Sequence, residues 1–109
     1  MIDLNELKKE TLRIVKKREE NGAFVKTNGF EMLKHCATEV VEATQAYAEY
    51  AFIKESGVRY STHNLASELA DVIVCVLNVA ELENIDMEKA LLDCVEKNRK
   101  RSEKIGDKL

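Results

Sequence analysis

ELADVIVCVL, the stretch from Glu68 to Leu77, decides the fold of this 109-residue chain. From Val72 onward the run is apolar on every side of a helix, which is typical of a buried helix. Asp71 stands at the mouth of the run, three residues after Glu68, so both carboxylates point from one helical face. A charge beside such a run needs a partner or a metal ion. The stretch therefore predicts a buried helix that carries two acids.

A second acidic pair, Glu39 and Glu42, has the same spacing on the preceding helical pattern. If the two helices pack together, both pairs converge on one small volume. Four like charges do not stay ionised together without cations, and divalent ions with oxygen ligands are the natural counter-charge. The pattern predicts a site for Mg²⁺, or for Mn²⁺, with these ligands: Glu39, Glu42, Glu68 and Asp71.

The composition is that of one small globular domain spanning residues 1–109. Hydrophobic residues make up 45% of the chain, which has no proline and four glycines, so little interrupts helix formation. The net charge of -3, with both signs interspersed, argues against a dedicated nucleic-acid binder. No apolar run approaches the roughly 18 residues of a membrane span, and the N-terminus lacks a signal-peptide core. We therefore expect a cytoplasmic protein.

Apolar periodicity predicts an all-α fold, an antiparallel four-helix bundle with short loops. The expected helices span about 3–20, 30–55, 62–82 and 87–104. We expect Asn21-Gly22 and Ser56-Gly57 to end the first two helices. Ser61 or Thr62 is expected to cap the third helix, and Asp86 the fourth.

The apolar positions of the first two helices predict which faces lie in the core. On the first helix these positions are Leu4, Leu7, Thr11, Ile14 and Val15. On the second they are Leu33, Ala37, Val40, Val41, Thr44, Tyr47, Ala48, Ala51 and Phe52. Since three neighbours cannot cover an all-round apolar third helix, we expect a homodimer or homotetramer with helices two and three near the interface.

The three cysteines, Cys36, Cys75 and Cys94, form no CxxC pair, and each lies beside apolar residues on a helical pattern. A reactive thiol needs a polar setting and a nearby base. We therefore expect all three to be small, buried, reduced side chains rather than chemical groups of a site.

Polar residues recur at helical spacing beside the acidic pairs. His35 and Glu49 continue the stripe on helix two, and Asn78 continues that on helix three. Helix four carries a cationic stripe that includes Lys97 and Arg101. An acidic cluster that binds Mg²⁺, together with cations, neutralises a polyphosphate. This combination favours a nucleoside triphosphate over a peptide, a sugar or a lipid.

Two motifs, ExxE at 39–42 and ExxD at 68–71, resemble the signature of the MazG-like, all-α nucleoside triphosphate pyrophosphohydrolases. The surrounding residues agree with that family: TEVVEA at 38–43, ELADVI at 68–73 and NID at 84–86. Lys97 and Arg101 resemble the family's basic pair that contacts phosphates. The resemblance covers roughly residues 30–104.

The resemblance implies Mg²⁺-dependent hydrolysis between the α and β phosphates, which releases a nucleoside monophosphate and pyrophosphate. The four acids would hold one or more ions, about 4 Å apart if a two-metal arrangement operates. Glu39 or Glu42 would also take the proton of the attacking water. The residues expected to bind substrate are Lys97, Arg101, Asn78 and Asn98.

Two departures from the family pattern bear on the site. Thr38 stands where many members carry a further acid, which weakens any claim for an extra carboxylate on this helix. The chain also lacks tryptophan, which some relatives stack on the base. Base recognition would then rest on other groups, with Phe30, Tyr47 or His35 as candidates.

The main alternative is a non-catalytic, dimeric helical module that keeps this fold and binds a partner. The acids would then bind metal weakly or pair with Lys97 and Arg101. A di-iron carboxylate protein is disfavoured, because neither His35 nor His63 lies three residues after a glutamate. A DNA-associated regulator is disfavoured by the overall acidity.

Overall fold

The computed structural model describes residues 2–22, 28–57 and 63–103. Within these ranges every regular element is an α-helix, and none is a strand. The helices are α1 (Leu4–Glu20), α2 (Gly29–Glu55), α3 (His63–Leu82) and α4 (Met87–Ser102). The all-α prediction with four helices is therefore confirmed. Two of the predicted helix ends lie outside the described residues. They are the cap of α3 at Ser61 or Thr62 and the end of α4 at Lys104.

The helix boundaries follow from local capping chemistry. Asp86 accepts a hydrogen bond of 3.1 Å from the backbone N–H of Lys89, and this bond lowers the pKa of the Asp86 carboxyl. Asp3 and Asn28 cap α1 and α2 in the same way. Gly22, just after α1, has a φ of +88°, a conformation that costs glycine little. The predicted ends of α1 at Asn21-Gly22 and of α2 at Ser56-Gly57 are confirmed, as is the cap of α4 at Asp86.

The helices α2 and α3 form the main packing pair, and they run in opposite directions. At one end, Gly29 of α2 lies so close to Glu83 that a Cβ on Gly29 would collide with its carboxylate. Further along the pair, the thiols of Cys36 and Cys75 lie beside each other. Residues further along α2 therefore contact earlier residues of α3. This arrangement places the two acidic motifs opposite each other.

The core lies where α1, α2 and α3 meet. Its buried apolar residues are Leu12, Val15, Met32, Cys36, Ala43, Ala46, Cys75, Leu77 and Ala80. On α1 the prediction is wrong at Ile14, which is half exposed, because the helix turns Leu12 inward instead. Burial is confirmed for Cys36 and Cys75 but is wrong for Cys94, which is exposed on α4.

The apolar face predicted for α2 is not the face buried in the single chain. Leu33, Val41 and Tyr47 are more than half exposed, whereas Met32 and Cys36 are buried. The helix carries two apolar stripes, and the buried one is rich in small residues that allow α3 to approach closely. The helix α3 is not covered all round within one chain either, since Ile73 is 57% exposed, which agrees with the expectation that three neighbours cannot cover it.

The helix α4 is the least embedded element. It packs on α1 along a short stretch, and none of its residues is buried. Leu92 and Val95 are each 65% exposed. The antiparallel arrangement of all four helices therefore stays a prediction. No described helix is long and apolar enough to cross a membrane.

Candidate functional site

Carboxylates from α2 and α3 converge at the middle of this helix pair. Glu39, Glu42 and Glu68 each offer an oxygen atom, and the three atoms lie within 4.8 Å of one another. One oxygen of Glu39 and one of Glu68 are buried and have no hydrogen-bond partner among the described residues. An unpaired buried carboxylate oxygen costs free energy. This all-oxygen donor set fits a hard divalent cation, which would offset that cost.

The pKa of Glu39 is shifted by its burial and by the carboxylates around it. Burial raises the pKa of Glu39, and the nearby charge of Glu42 raises it further. Asp71 also raises this pKa, so the fourth predicted acid lies within electrostatic reach of Glu39. His35 lowers the pKa of Glu39, and the Nε2 atom of His35 lies 3.0 Å from Oε1 of Glu39. The site therefore favours a proton or a cation beside Glu39.

A cavity of about 520 Å³ opens beside these acids. Its described wall comes from α1, α2 and α3: Val15, Arg18, Glu31, Met32, His35, Glu39, Asp71, Val74, Cys75 and Asn78. Small-molecule sites in proteins typically have this size and this mixture of apolar and polar groups. Since Glu39 belongs to both the acidic cluster and the cavity wall, a cation held by the cluster would border any molecule in the cavity.

The predicted substrate-binding residues divide into two groups. Asn78 lines the cavity and is 1% exposed, and its Oδ1 lacks a hydrogen-bond partner within the described part of the chain. Lys97, Asn98 and Arg101 are exposed on α4 and are not among the described residues of the wall. Their proposed roles remain predictions. Of the three candidate groups for the base, His35 lines the cavity, whereas Phe30 and Tyr47 are exposed outside it.

Sequence reasoning missed two charged residues of the wall, Arg18 and Glu31. Arg18 lies in the last turn of α1, where a basic residue favours the helix macrodipole without any ligand. Glu31 lies in the first turn of α2, where an acid is equally ordinary. Only the packing of α1 beside α2 and α3 brings both residues to the cavity.

The fold and the site together define an all-α protein with paired acids on two facing helices beside a small-molecule cavity. Residues 28–106 match the family model described as the MazG nucleotide pyrophosphohydrolase domain, and the chain belongs to this family. The match includes both acidic motifs but not α1, which contributes Val15 and Arg18 to the wall. No curated protein and no solved structure matches the chain. Membership supports nucleotide pyrophosphohydrolase activity in general.

Proposed function

We propose that this protein hydrolyses a nucleoside triphosphate to the monophosphate and pyrophosphate, in a reaction that depends on Mg²⁺. The observation that carries the proposal is the convergence of Glu39 and Glu68, whose buried oxygens lack partners among the described residues. Such a cluster suits a cation that also binds phosphate oxygens. Mn²⁺ has the same preference for oxygen ligands and would serve as well.

The cation ligands in this proposal are Glu39, Glu42, Glu68 and Asp71. When bound, Mg²⁺ neutralises phosphate charge and lowers the pKa of a water molecule. The carboxylates themselves would hold that cation at a fixed place beside the cavity. Because they project from two packed helices rather than from loops, little reorganisation is needed on binding.

The chemical step proceeds by attack of a water oxygen on the α phosphorus. The bond from the α phosphorus to the bridging oxygen breaks, and pyrophosphate leaves with that oxygen. Glu39 or Glu42 accepts the proton of the water. The raised pKa of Glu39 suits this role, since a general base works best when its pKa approaches the ambient pH.

The substrate contacts we propose begin with Asn78, whose unpaired Oδ1 lies in the cavity wall. Arg18 supplies a cation to the same wall and would offset part of the triphosphate charge. Lys97 and Arg101 stay proposed phosphate contacts, and Asn98 a proposed contact to phosphate or sugar oxygens. For these three, α4 must lie over the cavity, in this chain or from a second copy.

We further propose that the protein acts as a homodimer or homotetramer in the cytoplasm, where it serves the nucleotide pool. Support for the oligomer comes from exposed apolar residues on both α2 and α3, among them Leu33, Val41 and Ile73. Large exposed apolar surfaces of this kind are typical of protein interfaces. The side chains predicted for the core of α2 would then be buried between chains.

The test is pyrophosphate release from a panel of ribo- and deoxynucleoside triphosphates, with Mg²⁺ and with EDTA. Glu42→Ala should abolish release, whereas Glu49→Ala, seven residues further along α2, should not. Reaction in heavy-oxygen water should place the label in the monophosphate, because attack occurs at the α phosphorus. Label in pyrophosphate, or turnover in EDTA, would contradict the proposal.

The second candidate is the non-catalytic helical module, which the exposed apolar residues of α2 and α3 also support. A thermal-shift titration with Mg²⁺ separates the two functions. A module whose acids form ordinary ion pairs gains no stability from Mg²⁺, whereas the enzyme gains stability from a cation bound only by its folded state.

A further inference from the structure

We propose that His35, Glu39 and Cys75 form a second cation site, suited to a thiophilic divalent ion such as Zn²⁺. One nitrogen, one oxygen and one sulfur atom of these side chains lie within 4.8 Å of one another. Ligand atoms around tetrahedral zinc lie about 3.5 Å apart, so small side-chain rotations complete the site. The site spans α2 and α3, and it shares Glu39 with the acidic cluster.

The donor set distinguishes this site from the all-oxygen cluster. Mg²⁺ prefers oxygen ligands, whereas imidazole nitrogen and thiolate sulfur favour Zn²⁺ and related ions. Cys75 is 6% exposed, and the Glu39 side chain is 12% exposed, so both are shielded from water. The His35 side chain is 54% exposed, which leaves the ion a route from solvent. Cys75 binds as a thiolate, and its proton passes to solvent.

Neighbouring groups support a ligand at this place. The thiol of Cys36 lies beside that of Cys75, so a second sulfur is close to the three donors. All three donors line the cavity that also contains Asn78, a side chain 1% exposed. The Oδ1 atom of Asn78 has no hydrogen-bond partner among residues 2–22, 28–57 and 63–103. This wall thus contains a buried polar group that the described protein leaves unsatisfied.

Sharing of Glu39 gives the second site a consequence for activity. An ion held by His35 and Cys75 draws Glu39 away from Glu42 and Glu68, so Zn²⁺ and Mg²⁺ compete for one carboxylate. Zn²⁺ should therefore inhibit turnover. This consequence rests on the proposed function, whereas the binding of a thiophilic ion does not.

The test uses Co²⁺ as a spectroscopic probe on the full chain. Titration should produce a near-ultraviolet sulfur-to-cobalt band and the visible bands of tetrahedral coordination, and one equivalent of Zn²⁺ should remove both. Cys75→Ser should abolish the sulfur band. His35→Gln, at a half-exposed position, should weaken Co²⁺ binding by about tenfold or more.

Two matched variants keep the result specific. Cys94→Ser removes the exposed cysteine of α4, and Glu42→Gln changes an acid that belongs only to the acidic cluster; both should retain the sulfur band. A band that survives Cys75→Ser but disappears in Cys94→Ser would overturn the proposal, as would no band at all. If Cys75→Ser loses its helical circular dichroism, His35→Gln decides the question, and unchanged Co²⁺ affinity there overturns the site.

Failure of this site and failure of the proposed function are distinguishable. A protein with Mg²⁺-dependent turnover but no sulfur band has the acidic cluster alone, which overturns only the second site. A sulfur band in a protein without turnover supports the second site and contradicts only the proposed reaction.

Discussion

Glu39 on α2 and Glu68 on α3 each bury a carboxylate oxygen that accepts no hydrogen bond from the described residues. Ligand oxygens of these two side chains lie within 4.8 Å of each other. Two carboxylates at this separation repel each other, and burial strengthens the repulsion because little water screens it. The folded protein therefore retains an unfavourable arrangement that a proton or a cation would relieve, and this property can be measured without any substrate.

Replacement of Glu68 by Gln removes one charge from this cluster at almost constant shape. We expect Mg²⁺ affinity to fall by at least about tenfold, since even partners that only orient a metal ligand have effects of that size. The metal-free variant should be at least as stable as the natural protein, because the repulsion is gone. Thermal unfolding with and without Mg²⁺ measures both effects.

The control for that variant is Glu49→Gln, which changes an exposed acid of α2 outside the cluster. Its response to Mg²⁺ should equal that of the natural protein. A Glu68→Gln protein that gains as much stability from Mg²⁺ as this control would show that Glu68 is not a ligand.

The raised pKa of Glu39 predicts how stability depends on pH in the absence of metal. The folded state binds the proton of Glu39 more tightly than the unfolded state, whose pKa is near 4.5. Its contribution to stability therefore falls as pH rises from that value through the raised pKa. We expect Glu39→Gln to be more stable than the natural protein at neutral pH, with the difference vanishing in acid.

The measurement is urea unfolding of both proteins between about pH 4 and pH 8 in EDTA. A stability difference that is constant over this range would contradict the assignment, since a packing effect of the substitution does not titrate. Mg²⁺ at neutral pH should reverse the order, because only the natural protein retains the full ligand set.

The unpaired amide oxygen of Asn78 predicts opposite effects on stability and substrate binding. Asn78→Leu removes an unsatisfied buried oxygen, so stability should be unchanged or higher by about 1 kcal/mol. The same change should raise KM by about tenfold if the amide binds substrate, which corresponds to one lost hydrogen bond. Steady-state kinetics and thermal unfolding of one preparation supply both values.

The exposed Asn98 provides the comparison for this variant. Asn98→Leu should leave KM unchanged if α4 stays away from the cavity, and should raise it if α4 covers the cavity during turnover. A rise in KM for Asn98→Leu but not for Asn78→Leu would assign the substrate contact to α4 and refute the assignment to α3.

Lys8 joins α1 to the end of α3, and its loss should destabilise the fold. Its side chain is 7% exposed, donates to the backbone oxygen of Ile85, and lies 3.7 Å from Glu81. Lys8→Met leaves both partners unsatisfied and should cost about 2 kcal/mol, as expected for hydrogen bonds to charged groups. Chemical denaturation measures the change.

A matched substitution at the next residue isolates the effect of burial. Lys9 pairs with Glu6 at 3.4 Å, and both side chains are more than half exposed. Lys9→Met should therefore change stability by no more than about 0.5 kcal/mol. Equal losses for the two variants would mean that burial of Lys8 contributes nothing.

Several local features of this protein follow from the sequence alone. The three-residue spacing within each acidic motif places both carboxylates on one helical face, whatever the helix packs against. Asp86 and the pair Asn21-Gly22 define helix ends through capping and through backbone conformation, which depend on neighbours in the chain. The family resemblance rested on such short-range patterns and is confirmed.

The tertiary structure decided which faces meet. Periodicity placed Leu33 and Tyr47 on the apolar face of α2, for the core or an interface, but α3 packs on the stripe that contains Cys36 and leaves them exposed in the single chain. Only the packing of α1 brings Arg18 to the cavity, and only the pairing of α2 with α3 sets Cys75 beside Glu39. The physical reason is that periodicity states which side chains share a face of one helix. It does not state which two faces, of which two helices, bury the most apolar surface together.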